Sequence, residues 1–480
     1  MNGPNYTESP GGSVSNASTE PTIAQLMGAR MTRRAALKGA AAAGVYGLFG
    51  CTVPAPQRGG SSLTFTESGR FLDATHHVAP GYVVTPLIRW GDPLHAGAPD
   101  FRPGAQSAAE QERQFGMNND FVAFMPLPRG SNSAGRGLLC VNHEYAIAHL
   151  MWPGMTSATS AKMMTREQCE VELASVGLSV VEITRDSGSW RVMRDSQYNR
   201  RISARSTLMR VSGAAAGHPR MATRADVSGT RVIGTYSNCA GGVTPWGTVL
   251  TAEENIDYAF TGDASTGREA AAWRRFGING RGHWGRYFDR FNLNKEPNEA
   301  NRFGWIVEID PYQPKSMPVK RTALGRCKHE CANTTVGHDG RVAVYSGDDQ
   351  RMEYVYKFVT RDAYNAQNPE ASRDLLDHGT LYVARFEAGG KMHWLPVVFG
   401  QGPLTKANGF ENQGGATAWR SRGTCGQAPQ AVSIHSETWR PLPAACGLVV
   451  TPVLRIGSLM PTLLQQASRR STSRPAAAPA

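Results

Sequence analysis

The sequence predicts an all-β chain, a β-propeller with long insertions. Three observations carry this. Short runs rich in β-branched and aromatic residues recur between turn signals at 138–141, 177–184, 248–251, 305–309, 341–346, 354–360, 380–386 and 394–399. Helical periodicity is scarce: 157–175 is the best helix candidate, and the strand–helix alternation of a doubly wound sheet does not occur. A weak repeat joins apolar strands to acidic ends. Leu138-Leu139-Cys140-Val141 runs into Asn142-His143-Glu144, Thr248-Val249-Leu250-Thr251 into Ala252-Glu253-Glu254, and Val342-Ala343-Val344-Tyr345 into Ser346-Gly347-Asp348-Asp349. Inner strands of successive blades aim at one central channel, so such carboxylates are expected to converge there. Acidic residues after strands are also ordinary turn formers.

The chain has 480 residues, enough for a sizeable core, and 52 Gly and 29 Pro supply many turns. Its net charge of +12 is concentrated at the ends. Residues 1–60 carry Arg30, Arg33, Arg34, Lys38 and Arg58 against Glu8 and Glu20, and residues 412–480 carry seven arginines against Glu437 alone. Only a small positive excess remains between them, so a nucleic-acid face is not expected.

From the N-terminus, residues 1–30 are polar and expected to be disordered. Residues 31–51 have the form of an export signal. Thr32-Arg33-Arg34-Ala35-Ala36-Leu37-Lys38 resembles a twin-arginine motif, and the small-residue apolar stretch 39–50 is too short to span a bilayer. Leu48-Phe49-Gly50-Cys51 partly resembles a lipoprotein cleavage box, which would anchor the chain to a membrane through lipidated Cys51. The expected location is periplasmic or extracellular, with the twin-arginine machinery as a partner.

The eight cysteines are Cys51, Cys140, Cys169, Cys239, Cys327, Cys331, Cys425 and Cys446. They show no C-x-x-C zinc spacing. The closest cluster, Cys327-Lys328-His329-Glu330-Cys331, reads as a strand-flanking thiol pair, although an exported chain could pair some of its cysteines. Phosphate-loop, dinucleotide and nucleophile-elbow motifs are absent, and neither His143-Glu144 nor His329-Glu330 continues to H-E-x-x-H.

The most informative stretch is Ser237-Asn238-Cys239-Ala240-Gly241-Gly242, then Trp246, then Thr251-Ala252-Glu253-Glu254-Asn255. It reads as a thiol, a tight glycine turn, an aromatic anchor and two adjacent carboxylates. Soft sulfur beside hard oxygens suits a metal site: carboxylates take calcium or ferric iron, and a thiolate favours iron. Anions clustered without cations repel one another, so such a pocket implies bound metal. The same stretch also reads as a turn with a buried cysteine and a solvated acidic pair.

Several motifs in order resemble the PhoX-type alkaline phosphatases: Asn238-Cys239-Ala240-Gly241-Gly242 with Thr244-Pro245-Trp246-Gly247-Thr248 and Glu253-Glu254-Asn255; Val141-Asn142-His143-Glu144-Tyr145; Gly304-Trp305-Ile306-Val307-Glu308-Ile309-Asp310-Pro311; Lys328-His329-Glu330; and Ser346-Gly347-Asp348-Asp349 with Glu353-Tyr354-Val355-Tyr356-Lys357-Phe358. The resemblance spans about 62–413 and sets the expected propeller domain at 60–413. It implies an exported phosphomonoesterase, acting as a monomer on small phosphate monoesters with Fe3+ and Ca2+. Cys239 is then the thiolate ligand to iron, and Glu254, Glu330 and Glu144 are carboxylate ligands. Glu253, Asp348 and Asp349 are further metal or supporting groups, while Asn238 orients the Cys239 loop or contacts phosphate. The implied nucleophile is a metal-bound oxide or hydroxide, so no side chain is assigned that role. His143 and His329 are expected to pack rather than to ligate.

Family members continue with an Arg-Pro-Glu segment, whereas Arg440-Pro441-Leu442 has the wrong third residue, so the resemblance implies a propeller incomplete at its C-terminus. Residues 414–480 are atypical, with no acidic group after Glu437 and a low-complexity end. They are expected to be a disordered extension or the product of a frameshift, which reading the gene in its other frames decides. Two other functions remain open, a calcium-dependent propeller esterase or lactonase and a non-catalytic binding remnant.

Overall fold

A computed structural model describes residues 68–73, 75–157, 159–350, 353–386 and 391–419. The export segment, Cys51 and residues 420–480 lie outside the described residues. One of two units falls within residues 6–86. Its described part, 68–73 and 75–86, has neither helix nor strand, and His77 Nε2 lies 2.8 Å from Asp73 Oδ2.

The other unit, whose described residues run from 87 to 419, holds three sheets that follow one another along the chain. The first contains β1 (Asn119–Pro126), β2 (Arg136–His143), β3 (Gly177–Asp186), β4 (Ser189–Val192) and β5 (Arg200–Ile202), with β4 and β5 both paired to β3. The second adds β6 (Leu208–Ser212), β7 (Arg231–Ile233), β8 (Asn238–Val243), β9 (Val249–Glu253), β10 (Ile306–Ile309) and β11 (Val319–Arg321), in the order β7-β6-β11-β10-β9-β8. Its β6–β11 pair is parallel. The third is a simple meander, β12 (Asn333–Val336), β13 (Arg341–Gly347), β14 (Val355–Ala363), β15 (Gly379–Phe386) and β16 (Met392–Pro396). The fold is all-β, a propeller with long insertions whose ring of blades is open among the described residues.

Local sequence explains these strands. Residues 177–183 of β3 are buried on both faces, which matches the near-continuous apolar run Leu178-Ser179-Val180-Val181. β13 and β14 instead alternate, burying Val342, Val344, Tyr356 and Phe358 on one face. All eight runs expected from the sequence fall on strands, though the last drifts, since the strand starts at Met392 and ends at Pro396. The helix expected at 157–175 is divided into Ser160–Met163 and Arg166–Ser175. Thr165 interrupts it because its hydroxyl caps the second helix, accepting from Gln168 N–H while the Gln168 side chain accepts from Thr165 N–H. The insertion 256–303 packs Tyr258, Phe260, Trp284, Phe291 and Phe303 around Tyr236.

The tight glycine turn expected at Gly241-Gly242 is instead part of strand β8. These glycines serve close approach. A Cβ on Gly241 would lie 2.3 Å from the Leu250 carbonyl oxygen and 2.9 Å from the Phe121 ring, and one on Gly242 would lie 2.0 Å from the Ala332 oxygen. Three sheets therefore meet at β8: Thr334 Oγ1 donates to the Val243 carbonyl at 2.7 Å, and Asn142 Nδ2 donates to the carbonyls of Cys239 and Ala240. The described chain also continues past 413 as the buried helix Gln413–Ala418, capped by the Asn412 side chain.

Candidate metal centre

Backbone hydrogen bonds stitch the strand ends together around one point. Ser237 N–H donates to the Glu144 carbonyl at 3.0 Å, and the Ser237 carbonyl accepts from Glu254 N–H at 2.9 Å. His329 N–H donates to the Glu253 carbonyl, Glu330 N–H to Gly347 and Asp349 N–H to Lys328, at 3.1, 3.1 and 3.0 Å. The ends of β2, β9 and β13 are thus joined through the segments at Ser237 and Lys328. Ser237 adopts φ +56°, a left-handed conformation uncommon outside glycine, at the junction that holds both Glu144 and Glu254. A register shift in β8 falls between Asn238 and Gly241, the stretch that carries Cys239.

The side chains follow. Cys239 Sγ and one carboxylate oxygen each of Glu254 and Glu330 lie within 4.8 Å of one another. Cys239 Sγ is 3.5 Å from Glu330 Oε2 and 3.7 Å from Asp120 Oδ2. Cys239 and Glu254 are buried, Glu144, Glu330 and Asp120 are half-buried, and Asp349 is exposed, so the cluster opens to solvent on that side. Asn255 Nδ2 donates to Glu254 Oε1, and Lys328 Nζ in turn donates to Asn255 Oδ1 at 3.1 Å.

Burial and mutual repulsion raise every shifted group. Burial, then Asp120, Glu330 and Asp349, push the Glu144 carboxyl up to about 7. Burial, then Glu330, Asp349 and Glu144, push Glu254 to about 9. Burial also raises Asp120 and Glu330, and burial with Glu254, Glu330, Asp120 and Glu144 holds the Cys239 thiol far above the usual range. No cation is among the main influences on Glu144, Glu254 or Cys239. One sulfur and several mutually repelling oxygens fit a bound cation: oxygens alone suit calcium, and the added thiolate suits iron.

The structure therefore brings together Cys239, Glu254, Glu330, Glu144 and Asp349. It does not bring Glu253, whose Oε1 is 2.6 Å from Lys320 Nζ and whose Oε2 accepts from Gly304 and Trp305 N–H. Adjacent residues of a strand face opposite sides, and Glu254 takes the cluster side. Asp348 also turns away, to Arg275 Nη2 at 3.4 Å and the N–H groups of Lys328 and Gln350. Asn238 is buried in β8 and directs both amide hydrogens to Thr235 and Thr251 hydroxyls, at 2.8 and 2.9 Å, which leaves none for a ligand. His143 packs on Phe115 and bonds Ser179, and His329 bonds Ser346, so both stay off the cluster. Asp120 is the residue that sequence reasoning missed. It opens β1 instead of closing a strand, and its signal was the pair Asn119-Asp120 directly before the alternating Phe121-Val122-Ala123-Phe124.

The model of a family described as alkaline phosphatase PhoX matches residues 63–429, which runs past the end of the resemblance at 413. No curated protein matches the chain. Among solved structures, Pseudomonas fluorescens PhoX in complex with vanadate, a transition state analogue, is 43% identical with a TM-score of 0.67. That match covers 71% of this chain and 60% of the other, so this chain spans about three fifths of that relative's length.

Proposed function

The chain belongs to the PhoX alkaline phosphatase family, and from this premise we propose that it is an exported metal-dependent phosphomonoesterase. The observation that carries the reading is the meeting of Cys239 with Glu254 and Glu330, residues far apart in sequence, at ligand spacing. Cys239, Glu254, Glu330, Glu144, Asp349 and Asp120 hold ferric iron and calcium. When bound, these ions supply the positive charge that neutralises a phosphate monoester and stabilises its leaving oxygen. The protein contributes geometry. Asn142 fixes the carbonyls beside Cys239, and the Lys328–Asn255 pair fixes Glu254, so the donors need little rearrangement to bind. Asp349, at the exposed rim, marks the side from which substrate enters.

Assay of purified protein with a chromogenic phosphate monoester, Ca2+ and iron tests the reading. Turnover abolished by Cys239→Ala and by Glu254→Ala supports it, and turnover untouched by both removes it. Export through the twin-arginine motif is tested by fractionation after Arg33→Lys with Arg34→Lys, which should retain the chain inside the cell. Among the described residues no helix is long and apolar enough to cross a membrane.

A further inference from the structure

We propose that Cys169, Glu172 and His283 form a second metal site, one for a divalent ion of the zinc type. It shares no residue with the cluster at Cys239 and does not rest on the phosphatase reading. Cys169 and Glu172 stand three apart on helix Arg166–Ser175, hence on one face. His283 comes from the insertion, 111 residues after Glu172. One atom from each, thiol sulfur, carboxylate oxygen and imidazole nitrogen, lies within 4.8 Å of the others. Sulfur, nitrogen and oxygen from three side chains with a fourth position for water is a zinc donor set.

Glu172 Oε2 accepts from His283 Nε2 at 2.6 Å and from Trp284 Nε1 at 2.9 Å. The proton between glutamate and histidine occupies the direction an ion would take. The Trp284 bond is of the outer kind that steadies a ligating carboxylate. Cys169 and Glu172 are buried, while the His283 side chain keeps 17% exposure and so provides an entry path.

The two segments are already locked together without an ion. Arg286 Nη1 donates to the carbonyls of Ala161 and Lys162, both at 2.7 Å, the Tyr287 hydroxyl to Met164 at 2.8 Å and Arg166 Nη1 to Tyr287 at 3.0 Å. The donors are therefore preorganised. Burial, then Glu172, push the Cys169 thiol to about 12; binding releases its proton to solvent, which yields the thiolate, and shifts the His283 ring proton from Nε2 to Nδ1, which frees Nε2 to ligate. The bound ion then clasps the first sheet's helix to the insertion.

Cobalt(II) is the probe, read by thiolate-to-cobalt charge-transfer absorption. The full chain carrying Cys239→Ala should still bind one Co2+ with that band. Adding Cys169→Ser should abolish the band, and adding His283→Ala instead should weaken binding about tenfold or more. No band in the Cys239→Ala chain, or a band that survives Cys169→Ser, overturns the proposal. Crystals of the unsubstituted chain grown with Zn2+ give a reading that no folding defect affects. An anomalous peak at the zinc edge between Cys169, Glu172 and His283 supports the site, and its absence there overturns it.

Discussion

Lys320 Nζ lies 2.6 Å from Glu253 Oε1 with neither side chain exposed. Glu253 Oε2 meanwhile accepts from two backbone N–H groups. Lys320 Nζ also donates to the Arg302 carbonyl at 2.9 Å and lies 3.9 Å from the centre of the Phe303 ring, but each partner's formal charge is met by the other, so removing one strands the other in a dry core. Lys320→Met is expected to cost about 3–5 kcal/mol, measured by urea denaturation. Metal content per folded chain should stay unchanged, because Glu253 points away from the cluster. A folded Lys320→Met chain that has lost its metal would contradict that placement.

The ligand set makes a separable prediction. Cys239→Ala, Glu254→Gln, Glu330→Gln and Asp120→Asn should each lower bound metal by elemental analysis, and Glu253→Gln should not. Loss of a group that stabilises transition-state charge typically costs about a hundredfold or more in turnover, so the first four should fall by that order. Iron together with calcium in the folded protein supports a phosphatase. Calcium without iron would shift the reading to an esterase or lactonase.

The strands and the convergence of acidic strand ends were legible in the sequence, because burial imposes a period of two and propeller geometry gathers strand ends. Glu144, Glu254 and Asp349 stood among those acidic strand ends, and their roles as ligands came from the family resemblance. The strand pattern did not separate Glu253 from Glu254, a choice that only the family resemblance made, and nothing in the sequence separated Asp348 from Asp349. Neighbours face opposite sides, and which side is the cluster depends on partners such as Lys320 and Arg275, which lie far along the chain. Asp120 escaped because it opens its strand. The glycines of β8 looked like a turn because close backbone approach and a left-handed turn both select glycine, and only the positions of Leu250 and Ala332 separate the two. The Cys169–Glu172–His283 group lies outside every cysteine spacing rule, being assembled by an insertion.

Without metal, the cluster should make stability fall as pH rises. Glu144 and Glu254 titrate in the fold at about 7 and about 9, above the ordinary 4.5, because burial and like charge disfavour their anions. Between about pH 4.5 and 9 the folded chain then holds more protons than the unfolded one, which gives stability a negative slope with pH. Melting temperature in chelator should drop from pH 5 to pH 9, and saturating metal should flatten or reverse the trend, since it binds the deprotonated donors. A chelated chain that gains stability over this interval would mean that these carboxylates are not crowded together.

Gly242→Ala tests whether the three sheets depend on their contact at β8. The added methyl would sit 2.0 Å from the Ala332 carbonyl oxygen, a backbone atom that cannot swing aside as a flexible side chain could. Either β12 shifts away or β8 bends, and overpacking of this kind costs about 1–3 kcal/mol. Gly135→Ala is the matched control, since a Cβ there meets nothing within 4 Å and its φ is not left-handed. Denaturation midpoints should fall for Gly242→Ala and stay near the parent for Gly135→Ala. Because Cys239 lies three residues before Gly242 in the same strand, the shift should also loosen the thiol's alignment with Glu330 and weaken metal binding in the chains that remain folded. Equal midpoints for the two variants would mean that the sheets do not meet as closely at Gly242 as the 2.0 Å approach requires.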